Sequence, residues 1–198
     1  VSAMKSVYII VEPTEDARSF YSEEELIDSL RGVEDSFLRM PGVVVTEAPG
    51  TSTEWASYDS IYRIIGDAIE QDEGFGLKHN MEAFGEDVAT TEDFVEGDLS
   101  LAIASLLSND TVGDSLRGLT WSERTSQYVA LNDDGESIQY LRIRVDVEAE
   151  TSAMVEEIAS ELNAEVRIIS ADTGGRAYVV GDLIILSNVL SGLISSIV

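Results

Sequence analysis

The chain has no cysteine, one histidine, two lysines and three prolines among its 198 residues. Without cysteine, disulfides and thiolate chemistry are excluded, on either side of a membrane. A single histidine without thiols excludes the usual zinc ligand sets. His79, with Glu82, Glu86 and Asp87 nearby, lacks metal-ligand spacing and reads as a surface residue; no metal and no cofactor is expected. No phosphate-binding glycine loop, dinucleotide fingerprint or serine nucleophile elbow is present. Basic residues are scarce, 12 against 38 Asp plus Glu, and they form no cluster in sequence. Nucleic acid is therefore excluded as a partner, and anionic headgroups are expected to be repelled.

What remains is an acidic, foldable chain. The formal net charge is -26 and 44% of residues are hydrophobic, enough for a sizeable core. The carboxylates alternate with apolar residues, and no acidic run is longer than Glu23-Glu24-Glu25. The charge is thus spread over a folded surface rather than held in a tail. Such a surface repels itself at ordinary ionic strength, and molar salt screens it. The composition points to a protein adapted to an extreme halophile's salt.

Hydrophobic periodicity outlines an α+β fold. Ser6 to Glu12 reads as a strand ended by Pro13. Ser22 and Glu25 form a capping box, followed by a helix with Leu26, Leu30, Val33 and Phe37 on one face. Pro41-Gly42 ends it, and Val43-Val44-Val45 begins a second strand. Thr51 and Glu54 predict another capping box, and a helix with Trp55, Tyr58, Ile61, Tyr62, Ile65 and Ile69 along one face. Residues 71–91 read mostly as loop, Phe94 to Leu107 as helix, and 109–118 as a turn with a short helix. Strands are predicted at 127–131 and 138–147, joined by an Asn132-Asp133-Asp134-Gly135 turn. A helix from Thr151 carries Val155, Ile158, Ala159 and Leu162. Val166 to Ile169 reads as the next strand, ended by Thr173-Gly174-Gly175. The sum is two β-α-β units forming a ferredoxin-like sheet-and-helix sandwich, with a helical insert between them.

Leu183 to Val198 carries no charge and reads as an apolar helix, shorter at 16 residues than a membrane span but on the approach to one. The opening at Val1, in register with the first strand, suggests an excised fragment or a processed chain.

These pieces resemble a known family. The strand Ser6 to Glu12, the acidic helix, and Leu38-x-x-Pro41-Gly42-Val43-Val44-Val45-Thr46 are similar to the opening of the large extracytoplasmic loop of RND-superfamily exporters. In the MMPL-like members this loop follows the first membrane helix. The turn at Asp133 and Asp134, the strand to Val147, the amphipathic helix, Thr173-Gly174, and Val179-x-Gly181-Asp182 entering an apolar helix are similar to its second half. The match is one of element order and is weakest between Gln71 and Asn109.

The resemblance implies one porter-type domain over 1–198. Residues 1–48 and 121–181 are its β-α-β units, 49–120 the insert, and 182–198 a helix leading toward the membrane. It implies an extracytoplasmic domain of an integral membrane exporter that collects hydrophobic, lipid-like or amphiphilic molecules. Its partners are then the rest of the same transporter chain and a homo-oligomer of the full-length protein. It implies no catalysis, because the family's ion-coupling residues lie in its membrane helices.

Three features are candidate sites. Trp55, Tyr58 and Tyr62 could line a hydrophobic substrate cleft, although such stripes are more often core. Asn109-Asp110-Thr111 is an N-glycosylation sequon. Asp172-Thr173-Gly174 has the form of an aspartic protease motif but lacks a second carboxylate, so it reads as a turn. Two rivals to the exporter reading follow: an extracellular ligand-binding or sensor domain tethered by a membrane helix, and a salt-adapted hydrolase using Asp172.

Overall fold

Alternation in the first strand sets the core. In the computed structural model, which describes residues 4–14, 20–47, 54–84, 87–115 and 117–182, β1 (Lys5–Pro13) lies inside a five-stranded antiparallel sheet. It pairs with β10 (Ile138–Val147) on one side and β11 (Gly175–Val180) on the other. The rows Val7–Val145, Ile9–Ile143 and Val11–Leu141 bury every second residue on one face. β4 (Tyr58–Asp59) and β9 (Val129–Leu131) both pair with β10, giving the order β11-β1-β10-β4 with β9 off that path. The molecule is a mixed α+β protein with six helices among the described residues.

Helix α1 (Glu23–Arg39) starts at Ser22, whose Oγ accepts from the Glu25 N–H at 3.1 Å. Its face of Leu26, Ile27, Leu30, Val33 and Phe37 is buried. Gly42 follows at φ +77°, and a Cβ there would lie 2.3 Å from Ile158 Cδ1, so the turn out of α1 requires glycine twice over. The expected second strand is displaced by two residues. Val43 makes a single bridge to Val147, whereas β2 (Val45–Glu47) turns away to pair with β3 (Glu54–Ala56).

The helix expected from Thr51 is corrected. Thr51 itself lies outside the described residues, but Glu54 to Asp59 is extended, in β3 and β4, and α2 (Ile61–Gln71) begins only after Ser60. Residues 71–91 are likewise not mostly loop: α3 (Glu73–Lys78) leads into the hairpin β5 (Met81–Phe84) and β6 (Asp87–Thr90). Helix α4 (Asp98–Leu107) starts after Phe94 and Val95, and 109–118 holds β7 (Val112–Asp114), paired with β8 (Leu119–Thr120), rather than a short helix. The short helix comes later, as α5 (Trp121–Thr125), under a full capping box between Thr120 and Glu123. The insert is thus helices mixed with hairpins.

Helix α6 (Ser152–Thr173) contains the segment Val166 to Ile169 expected as a strand. Val166 and Ile169 stand four and seven residues after Leu162 and continue its buried stripe, while Arg167 and Ile168 face solvent. Packing against α1 overrides the β-branched run. The last strand of the sheet is instead β11, after Gly174 closes the helix at φ +71°. Leu183 to Val198 lies outside the described residues. No described helix is long and apolar enough to cross a membrane.

Candidate functional site

Two helix starts meet face to face. Glu23, the first residue of α1, is buried, and its carboxylate reaches the start of α4. It accepts from the N–H groups of Gly97 at 2.8 Å, Leu99 at 3.0 Å and Ser100 at 3.0 Å, and from the Ser100 hydroxyl. In return the Glu23 N–H donates to Glu96 Oε2 at 3.1 Å. A helix N-terminus leaves several N–H groups without helical partners and carries partial positive charge. Each carboxylate therefore satisfies donors of the opposite helix, and the buried charge on Glu23 is met by four donors.

A cavity of about 370 Å³ opens beside this junction. Phe20, Leu26, Leu101 and Ile138 supply apolar wall, and Ser100, Ser137 and the carboxylates of Glu96 and Glu136 supply polar groups. No lysine or arginine among the described residues lines it. The volume suits a small ligand or one end of a larger one, and the apolar wall favours a hydrophobic body. Phe20 lies against Gly175, at the Pro13 end of β1, so the cavity sits at one end of the sheet.

The predicted aromatic residues lie elsewhere and do not share a helical face. Trp55 is half-buried on β3, Tyr58 is buried on β4, and Tyr62 is buried on α2. Their organising partner is Arg63, whose guanidinium carbon lies 4.0 Å from the Tyr58 ring centroid and 5.0 Å from that of Trp55. Arg63 also pairs with Glu34 at 3.0 Å. Phe37 meets the Tyr58 ring edge-on at 5.6 Å, and burial pushes the Tyr58 hydroxyl well above its ordinary range. Tyr62 accepts from the Val88 N–H at 2.9 Å, and burial raises its hydroxyl too. Tyr58 and Tyr62 are core residues.

Asn109 is half-buried between α4 and β7. Its Oδ1 accepts from the N–H of Thr111 at 2.9 Å and from the Thr111 hydroxyl at 2.7 Å, so the sequon is folded into an Asx turn. His79 is not on the surface: it is 3% exposed against the Phe75 ring, and Nε2 has no hydrogen-bond partner among the described residues. Burial, with the neighbouring Lys78, holds its pKa below the ordinary histidine value against the opposing pull of Asp98. No group of three or more His, Asp and Glu among the described residues could hold a metal ion. Asp172 is exposed on the last turn of α6, on a helix rather than after a strand.

A buried ion network escaped the sequence reading. Asp59 on β4 pairs with Arg124 of α5 at 3.1 Å and with Arg117 at 3.2 Å. Arg124 also holds Asp67 of α2 at 2.6 Å, and Arg117 holds Asp114 at 2.7 Å. Burial raises the Asp67 carboxyl, while the bonds from Arg117 lower Asp114 despite its partial burial. The network ties Asp59 of β4 to α2, α5 and the segment at Asp114 and Arg117. Compared with known proteins, the chain matches no family model, no curated protein and no solved structure.

Proposed function

We propose that the chain is an extracytoplasmic, substrate-collecting porter domain of an RND-type, MMPL-like exporter, adapted to high salt. One observation carries the reading: the interlocked order β11-β1-β10-β4. β10 stands between β1 and β4, and β1 stands between β10 and β11, all antiparallel, with helices crossing from β1 and from β10. We read this order as ferredoxin-like, the fold that the resemblance implies for a porter domain.

Two further features support it. The first and last strands are hydrogen-bonded neighbours, with Tyr8 opposite Val180, so the chain enters and leaves the sheet at one end. A domain inserted between two membrane helices needs that geometry. The cavity lies at the other end, beyond Val11 and Leu141, about 20 Å away along β1. It would face away from the bilayer, where a hydrophobic or amphiphilic molecule could be passed outward. On this reading the partners are the rest of the transporter chain and lipid-like substrates, the domain catalyses nothing, and the full-length protein is a homo-oligomer.

The cavity equally serves a tethered extracellular ligand-binding or sensor domain. The parent reading frame on both sides of Val1 and Val198 separates the two. Apolar stretches of about 20 residues on both flanks, with more spans downstream, are expected for the exporter. One span followed by a signalling domain would replace it with the sensor.

A further inference from the structure

The face of the sheet turned away from α1 and α6 carries an unusual set of side chains. Across the strands it reads Val180–Tyr8–Arg144 in one row and Tyr178–Ile10–Arg142 in the next. Tyr178 and Val180 are exposed on the edge strand, and Tyr8 and Ile10 are half-buried between them and the arginines. An apolar and aromatic strip two strands wide therefore ends at two guanidinium groups, which stand two residues apart on β10, about 7 Å.

Those two guanidinium groups are short of partners. The chain holds 38 carboxylates against 12 basic residues, so a half-buried arginine without an acid beside it runs against the composition. Arg31, Arg63, Arg117, Arg124 and Arg176 each pair with a carboxylate. Arg142 pairs with none among the described residues. It is held instead by rings, 4.9 Å from the Tyr8 centroid and 5.6 Å from that of Tyr128, and its Nε has no hydrogen-bond partner among the described residues. Arg144 Nε has a long ion pair with Asp146 at 3.7 Å but no hydrogen-bond partner among the described residues. Asp146 is already committed, accepting from the hydroxyls of Ser6 and Ser57 at 2.7 Å each. Rings that hold a guanidinium by its face leave its terminal N–H groups to make charge-assisted bonds to an oxyanion.

We propose that this outer face is a binding site for an anionic amphiphile. Its phosphate, sulfate or carboxylate head takes the Arg142 and Arg144 guanidinium groups, and its apolar body lies along Tyr8, Ile10, Tyr178 and Val180. The site is separate from the cavity beside Glu23 and does not rest on the exporter reading. It also reverses what the total charge predicts: a chain at -26 should prefer a cationic amphiphile.

That reversal makes the test sharp. Octyl phosphate, inorganic phosphate, octyltrimethylammonium and octyl glucoside are titrated into the full chain by calorimetry and by NMR, in low and in molar KCl. Octyl phosphate is expected to bind one site about tenfold or more tightly than each of the others, moving the Tyr8 ring signals. The pair Arg142→Gln and Arg144→Gln should cut its affinity about tenfold or more. Tyr178→Ser, on the exposed edge strand, should weaken octyl phosphate and leave inorganic phosphate and the melting temperature unchanged. Equal or tighter binding of octyltrimethylammonium overturns the proposal, as does unchanged affinity in the arginine variants. If the arginine variants do not fold, Tyr178→Ser and the Tyr8 shifts decide alone. Phosphate binding as tightly as octyl phosphate removes the apolar part.

Discussion

Ser100 gives both its backbone N–H and its hydroxyl to one oxygen of the Glu23 carboxylate, across 77 positions of chain. The bond joins the first helix of the sheet layer to the third helix of the insert, and it makes Glu23 unlike its neighbours in the same acidic triplet. Glu25, two residues on, is exposed.

Glu23→Gln is therefore expected to destabilise the fold by about 2 kcal/mol, because a neutral amide replaces a charge that four donors and a helix terminus face. Glu25→Gln should stay within about 0.5 kcal/mol. Chemical denaturation of the two variants in molar KCl measures the difference, and equal losses would remove the reciprocal cap as a stabilising element.

Asp59→Asn leaves Arg124 and Arg117 facing a neutral group in a buried site. A loss of about 3–5 kcal/mol is expected, as for breaking a buried pair from one side. Combining it with Arg124→Met should recover part of that loss, since the charge left behind is removed too. A double-mutant cycle on unfolding free energies reads the coupling, and strict additivity would sink the argument.

Glu165 supplies a pH test. It is buried on α6, and its carboxyl titrates above the ordinary value chiefly because of burial, against the opposing pull of Ser36. Asp172 and Glu161 push in the same direction, and Arg39 opposes them. A carboxyl raised in the folded state binds protons more tightly there than in the unfolded chain. Its stabilising contribution is then full below the ordinary carboxylate pKa and is lost as pH rises through the higher folded value. Glu165→Gln should accordingly melt higher than the parent at pH 7, with the gap closing in acid. A gap that is constant with pH would exclude this titration.

Salt should act on the whole surface. The melting temperature is expected to climb steadily as KCl rises from about 0.1 M to 1 M, while the Debye length falls from about 10 Å to 3 Å. A flat curve by circular dichroism would end the salt-adaptation reading.

Much of the sheet layer was legible because its signals are local. The alternation in β1 and β10 and the cap at Ser22 need no distant partner. The failures share a cause in distant contacts. Trp55, Tyr58 and Tyr62 have helical spacing, yet Val45 to Glu47 captures Glu54 to Ala56 as a strand. Val166 and Ile169 look like a strand until α1 supplies a surface for the stripe begun at Val155. Glu23 was legible as part of its own helix start, but not as the cap of another helix. At the outer face, Arg142-x-Arg144 has a strand's period. Its apolar companions Tyr178 and Val180 come from the far end of the chain, so only the β1–β11 pairing puts them on the same surface.

That same pairing governs how the molecule responds to load. Tension between the residues entering β1 and those leaving β11 acts at one end of two adjacent strands, so it opens their hydrogen bonds in succession, as a zipper opens, rather than shearing them together. β1 is braced on its other side by β10 from Lys5 to Val11, whereas β11 is an edge strand among the described residues. β11 is then the first element to peel, while β1 stays held by β10.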